Sequence, residues 1–373
     1  MRVLFVFGTR PEAIKMAPLI KLMQGRQGIA ARTCVTGQHR QMLVQVLGLF
    51  GIAPDYDLNL MRAGQSLNHI TSAVLTGLTK VIDDFRPDRI IVQGDTTTSF
   101  AAAIAGFYAK LPVAHVEAGL RTGNLQAPWP EEMNRRVISQ FCDIHFAPTV
   151  TAADNLLREG VSPSAVEITG NTVIDALLHI TNRLASDPSL LSTVRNQAPP
   201  IEESRRLILV TGHRRENFDG GLERVCRALV KIARRKDVEI LYPVHLNPKV
   251  QCVADRILSG HSNIHLAPPL PYLQFVYMMQ KSYLIVTDSG GIQEEAPSLG
   301  KPVLVSRETT ERPEAVEAGT VELVGTDPDL LVTRISRLLD DEEVYRRMSL
   351  AHNPYGDGRA SQRIVERLSH GSN

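Results

Sequence analysis

A chain of 373 residues is long for one compact core, so two domains are expected. Its 43% hydrophobic and 22% charged residues are those of an ordinary soluble globular protein. A net charge of +1 and 5% aromatic residues exclude a general nucleic-acid binder built on basic patches or stacking platforms, so any anion site must be local.

The first predicted element, "VLFVFG", is an apolar run of about six residues, too short for a membrane span or signal peptide. It reads as a buried strand, and the protein as cytoplasmic with no membrane partner. The next stretch, "GTRPEAIK", puts Gly8 and Thr9 on a turn, Arg10 at a helix start and Pro11 just inside it. Proline suits a first helical turn, and a helix N-terminus beside a guanidinium favours an anion. An ordinary strand–helix turn with a solvated arginine explains the same residues equally well. Lys15 follows one turn and a residue later.

Further runs in the first half are "ARTCVTG", "RIIVQGD", "PVAHVEAG", "DIHFAPT" and "VEITGN", giving six expected strands separated by segments of helical period. "GDTTT" sets Asp95 directly after a strand, where it either caps the next helix or serves a site. "HVEAG" spaces His115 and Glu117 two apart, so both side chains are expected on one face of a strand. A glutamate ending a buried strand is costly unless it is paired or used. "APWPEEMNRR" opens a helix with Glu131 and Glu132, where acids suit the helix dipole without catalysis; Glu132 is read as structural.

The polar segment "LASDPSLLSTVRNQAPPIEES" then interrupts the pattern. Domains are expected over 1–171 and 172–355, with 356–373 as a terminal helix packing back on the first. The second half gives "LILVTGH", "EILYPVH", "NIHLAP", "YLIVTDSGG", "PVLVS" and "VELVG", again six strands alternating with helices. Continuous apolar strands between helices imply an α/β protein of parallel sheets covered on both faces, hence two Rossmann-like domains. Ligands of such sheets lie beyond the strands' carboxyl ends, and polar groups gather there in both halves, so a cleft between the domains is the expected site.

"TGHRREN" places His213 at a strand end beside Arg214 and Arg215, a pattern suited to phosphate. In "DSGGIQEEAPSLGKP", Ser289, Gly290 and Gly291 precede a short helix expected to start near Ile292. Backbone N–H groups on such a turn cradle phosphate, whereas Glu294 or Glu295 a turn later suits a ribose diol. Together they describe a nucleoside diphosphate. No G-x-G-x-x-G follows the first strand, and no G-x-x-x-x-G-K-[ST], H-E-x-x-H or G-x-S-x-G occurs, which removes the main sequence support for NAD, ATP, a zinc site or a serine hydrolase. The four cysteines, Cys34, Cys142, Cys226 and Cys252, contain no C-x-x-C pair.

The motifs "FGTRPEAIKMAPL", "QHR", "GDTTT", "HVEAGLRTG", "PWPEEMNR", "TGHRREN", "PVHLNP", "TDSGGIQEEAPSLGKPVLV", "ETTERPEA" and "NPYGDG" occur in order from the first strand to the last helix. In this the chain resembles the bacterial non-hydrolysing UDP-N-acetylglucosamine 2-epimerases. The resemblance implies a GT-B architecture and reversible conversion of UDP-GlcNAc to UDP-ManNAc through 2-acetamidoglucal, by a homodimer needing neither cofactor nor metal. It implies that Arg10, His213, Phe275, Ser289, Gly290, Gly291, Glu295 and Arg312 hold UDP. It puts Lys15, Asp95, Glu117 and Glu131 around the sugar, with His213 counted in the catalytic set as well. Some similar enzymes bind a second UDP-GlcNAc as activator, and Gln38, Gln41, Arg214 and His245 match part of that region. Competing readings are a hydrolysing epimerase that releases free ManNAc, a GT-B glycosyltransferase and a non-catalytic nucleotide-sugar sensor.

Overall fold

The computed structural model describes residues 1–37, 40–60 and 64–370. The chain divides into two compact units, residues 1–179 with 355–373, and residues 180–354.

The first unit begins β1 (Arg2–Phe7), α1 (Arg10–Gln24), β2 (Ala30–Val35), α2 (Arg40–Leu49), β3 (Tyr56–Asp57), α3 (Leu67–Phe85) and β4 (Arg89–Gln93). It continues α4 (Thr97–Tyr108), β5 (Val113–Val116), α5 (Glu131–Phe141), β6 (Ile144–Ala147), α6 (Val150–Arg158), β7 (Val166–Ile168) and α7 (Thr172–Ser186), the last crossing the unit boundary. The sheet is parallel throughout, in the order β3-β2-β1-β4-β5-β6-β7. It has one strand more than the apolar runs predict. The extra strand, β3, is the dipeptide Tyr56–Asp57, too short and polar to leave a hydrophobic signal. Elsewhere the runs and strands coincide because a strand covered on both faces must be apolar along its length. In β1 every residue after Arg2 is buried.

The second unit contains α8 (Pro188–Gln197), β8 (Arg206–Thr211), α9 (Gly221–Ile232), β9 (Val238–Pro243), α10 (Pro248–Leu258), β10 (Ile264–Ala267) and α11 (Tyr272–Lys281). It ends with β11 (Leu284–Thr287), α12 (Gly290–Glu295), β12 (Val303–Val305), α13 (Pro313–Glu317), β13 (Val321–Leu323), α14 (Pro328–Asp340) and α15 (Glu342–Ser349). Its six parallel strands run β10-β9-β8-β11-β12-β13, the expected six. The core packs Ile208, Val210 and Ile240 of the sheet against Leu222, Val225 and Leu229 of α9. The final helix, α16 (Ala360–His370), belongs to the first unit, where it packs against α1.

Both sheets reverse direction of winding beside their first strand, between β1 and β4 in one and between β8 and β11 in the other. At such a switch point the following helices diverge and leave a crevice at the strands' carboxyl ends. The turns after β1, β4, β8 and β11 are therefore the positions of interest. Among the described residues no helix is long and apolar enough to cross a membrane.

Candidate active site

The turn after β1 is closed by a reciprocal cap: Thr9 accepts the Glu12 N–H, while Glu12 accepts the Thr9 N–H at 2.7 Å. Glu12 is 1% exposed and also accepts from the Gly8 N–H (3.0 Å), Thr96 Oγ1 (2.6 Å) and Ser99 Oγ (2.8 Å). One buried carboxylate thus ties the turn after β1 to the turn after β4. Arg10 is the first residue of α1 and half-buried, and Lys15 lies in the next turn.

Thr96, not Asp95, caps α4, which leaves the Asp95 carboxylate for other partners. Helix α5 supplies them: Arg135 Nη1 donates to Asp95 Oδ2 at 2.8 Å, and Asn134 donates to the Asp95 carbonyl at 2.8 Å. Burial pushes the Asp95 carboxyl up to about 6; Arg135 opposes the rise, Glu117 and Glu131 add to it, and Lys15 opposes it. Asp95 therefore gains and loses its proton close to neutral pH.

Glu117 lies one residue beyond β5 with φ +61°, so it does not share a strand face with His115 as the spacing suggests. The left-handed backbone costs a glutamate about 1–3 kcal/mol and is a frequent mark of functional positions. Its carboxylate meets Lys15 Nζ at 2.5 Å and Asn171 Nδ2 at 2.9 Å on Oε1, and Gln93 Nε2 on Oε2. His115 instead braces the turn beneath Asp95, its Nε2 lying 2.7 Å from the Gly94 carbonyl. Burial drives its pKa down to about 3, so it is neutral and donates that bond.

Glu131 opens α5, half-buried, and its charge reaches Asp95. Glu132 is fully buried and structural in its contacts. It accepts the Thr122 and Gly123 N–H groups and two N–H groups of Arg135. Burial alone would raise its pKa; the Arg135 and backbone hydrogen bonds outweigh it and hold the carboxylate below its usual range.

In the second unit the organising group is Asp288, directly after β11 and 1% exposed. It accepts the His213 N–H (2.9 Å), the Arg214 N–H (2.8 Å) and Asn217 Nδ2 (3.2 Å), and so fixes the loop after β8. The His213 ring stacks on His245 with centroids 5.2 Å apart. Burial depresses the His213 pKa, Asp288 opposes this, and Arg214 and His245 depress it further.

Helix α12 begins at Gly290, two residues before the expected start, with Ser289 as its N-cap. The Arg312 guanidinium lies so close to Gly290 that a Cβ there would be 2.5 Å from Nη1. Arg312 Nε donates to Glu294 Oε1 at 2.6 Å, and Glu294 is fully buried. The two adjacent acids thus separate in role: Glu294 holds Arg312, while Glu295 accepts the Tyr272 hydroxyl at 2.7 Å. Gly291 has open space at its Cβ position apart from a Glu295 oxygen at 3.9 Å, and Phe275 is half-buried on α11.

The first unit therefore brings together Lys15, Asp95, Glu117 and Glu131. The second gathers His213 with His245, and Gly290 with Arg312. Gln38 lies outside the described residues, as does the Gln41 side chain. Sequence reasoning missed Glu12, Gln93, Arg135, Asn171, Asp288 and Tyr272. Of these, Arg135 sits one helical turn after Glu131, Asp288 follows β11 directly, and Asn171 stands just before α7 in the turn after β7, which are the signals that point to them. Among the described residues no group of three or more His, Cys, Asp or Glu is placed to hold a metal ion.

A family model described as UDP-N-acetylglucosamine 2-epimerase matches residues 21–369. The UDP-N-acetylglucosamine 2-epimerase of Yersinia pestis is 56% identical over 369 residues, covering 99% of this chain and 98% of the relative. That of Escherichia coli K12 is likewise 56% identical over 369 residues, with 99% and 98% covered. Among solved structures, the UDP-GlcNAc 2-epimerase of Neisseria meningitidis bound to UDP-GlcNAc superposes with a TM-score of 0.94 at 50% identity, over 99% of this chain and 100% of that one.

Proposed function

The chain belongs to the UDP-N-acetylglucosamine 2-epimerase family, and on that premise we propose that it interconverts UDP-GlcNAc and UDP-ManNAc without hydrolysing them. The C2 proton of the sugar is not beside a carbonyl, so its removal needs a leaving group. In the elimination a carboxylate takes that proton while the C1–oxygen bond breaks. The C–H electron pair becomes the C1–C2 double bond of 2-acetamidoglucal, and UDP leaves with the C1–oxygen pair. Re-addition restores the C1–oxygen bond and delivers a proton to the opposite face of C2.

The observation that carries this reading is a pair of carboxylates in unlike settings on neighbouring strand ends. Asp95, with its pKa pushed up to about 6, suits proton exchange near neutral pH. Glu117 is fixed by Lys15, Gln93 and Asn171. With Glu131 they form the proposed proton-transfer set, and Lys15 and His213 complete the catalytic group. Arg10, His213, Phe275, Ser289, Gly290, Gly291, Glu295 and Arg312 are assigned to UDP, which must be retained after its bond to the sugar breaks. Preorganised cations and N–H groups aimed at the departing diphosphate serve that purpose, and the Glu294–Arg312 pair supports it. A homodimer, a cytoplasmic location, and an activating nucleotide at Gln38, Gln41, Arg214 and His245 belong to the same reading.

NMR of UDP-GlcNAc incubated with the protein in D2O tests it. The expected products are UDP-ManNAc and recovered UDP-GlcNAc, both deuterated at C2. Free ManNAc as the main product moves the chain to the hydrolysing class, and absence of C2 exchange ends the epimerase reading.

A further inference from the structure

Asn171 follows β7 and is 2% exposed, and each of its polar groups is committed within the first unit. Its side-chain carbonyl accepts the Val173 N–H at 3.1 Å, closing the first turn of α7. Its amide nitrogen donates to Glu117 Oε1 at 2.9 Å. Its backbone N–H donates to the Tyr355 carbonyl at 2.7 Å. The asparagine amide presents an acceptor to the helix and a donor to the carboxylate at once, which an ionised aspartate of the same size cannot do.

The segment around Asn171 is clasped along its length by the end of the chain. Arg363, paired with Asp357, donates to the Thr169 carbonyl at 3.0 Å. A Cβ on Gly170 would lie 3.2 Å from Gly356 Cα, so the two backbones meet where neither residue can carry a side chain; their φ angles are +85° and +131°. Asp175 accepts the Ala360 and Ser361 N–H groups at 3.2 and 2.7 Å and so caps α16.

We propose that Asn171 is a positioning residue for the C2 chemistry: held in place by residues 355–363, it fixes the orientation of the Glu117 carboxylate. The inference rests on the proposed catalytic role of Glu117. It gives the terminal segment a function in catalysis although that segment touches no reacting group in the proposed scheme. Charged and titratable groups facing Glu117 are Lys15 from α1, Asp95 from the turn after β4 and His115 from β5.

The test is Asn171→Asp, which keeps the acceptor for Val173 but replaces the donor to Glu117 by a second carboxylate oxygen. C2 exchange should fall about 30-fold or more in kcat with KM for UDP-GlcNAc changed less than about 3-fold. The acid limb of the pH profile should move up by about one unit, because adjacent carboxylates resist joint ionisation. Asn171→Ala, which removes the donor to Glu117 together with the acceptor for Val173 but adds no charge, gives the same loss in kcat if the aspartate variant does not fold. Wild-type kcat and pH profile in a folded variant overturn the proposal. Glu117→Gln, run in parallel, separates the failures. If it abolishes exchange while Asn171→Asp does not, positioning alone is wrong; if it leaves exchange intact, the role of Glu117 falls and the positioning role with it.

Discussion

Replacing Gly290 by alanine perturbs the proposed diphosphate site at one defined contact. The new Cβ would lie 2.5 Å from Arg312 Nη1, 2.6 Å from Cζ and 3.1 Å from Nε. Ordinary contact needs about 3.5 Å, so the guanidinium must retreat by about 1 Å. Arg312 Nε now donates to Glu294 at 2.6 Å, and a shift of that size away from the acid carries the bond to the limit of hydrogen bonding. Glu294 is fully buried, so weakening this contact leaves its charge under-compensated. The displaced guanidinium forfeits the charge-assisted hydrogen bond it is assigned to make to the diphosphate, about 1.5–3 kcal/mol, which corresponds to a UDP dissociation constant about 10- to 150-fold higher. Isothermal titration with UDP and with uridine reads this directly. Uridine lacks the diphosphate, so its weaker binding should stay unchanged. A folded Gly290→Ala protein that binds UDP as tightly as the wild type refutes the reasoning.

Three further predictions concern titrating groups. Asp95→Asn should keep UDP binding and lose most C2 exchange; unchanged turnover removes Asp95 from the catalytic set. The folded-state pKa of Asp95 is raised from 3.8 to about 6, so its ionisation costs the fold stability as pH rises through that window. Thermal denaturation should therefore show the asparagine variant gaining on the wild type between pH 4 and 7, by up to about 3 kcal/mol, whereas a pH-independent difference contradicts the assignment. Glu311 behaves oppositely. Burial would raise its pKa, but hydrogen bonding to Arg307 and the charges of Arg307 and Arg312 bring it from 4.5 down to about 2. Its contribution is complete above the unfolded value and is lost as pH falls toward 2. Glu311→Gln should cost about 3 kcal/mol at pH 7 and little near pH 2, and an equal cost at both would be inconsistent with that sign.

The strands were legible because a sheet covered on both faces demands unbroken apolar runs, and the turn residues after β1, β4, β8 and β11 could be read from the ends of those runs. Thr9, Arg10 and Pro11 announced α1 through cap chemistry. What stayed hidden depends on contacts between distant segments. Nothing local marks Glu117 as left-handed, and the donors that meet its carboxylate come from the distant Lys15, Gln93 and Asn171. Glu294 and Glu295 look equivalent in sequence and differ only because Arg312 and Tyr272 approach from other elements. Asn171 closes the run "VEITGN", but its link to Tyr355 exists only once the terminal segment has returned to the first unit. The role of Asp288 is invisible within its own motif, because its partners are backbone N–H groups of a different loop.

The central claim is that the bond between C1 and the UDP oxygen breaks and re-forms during turnover. UDP-GlcNAc carrying 18O at the bridging position, followed by 31P NMR, tests it most directly. Elimination frees the β-phosphate to rotate before re-addition, so the label should scramble into non-bridging positions of recovered UDP-GlcNAc and of UDP-ManNAc. Epimerisation with the label retained wholly in the bridge would contradict the account.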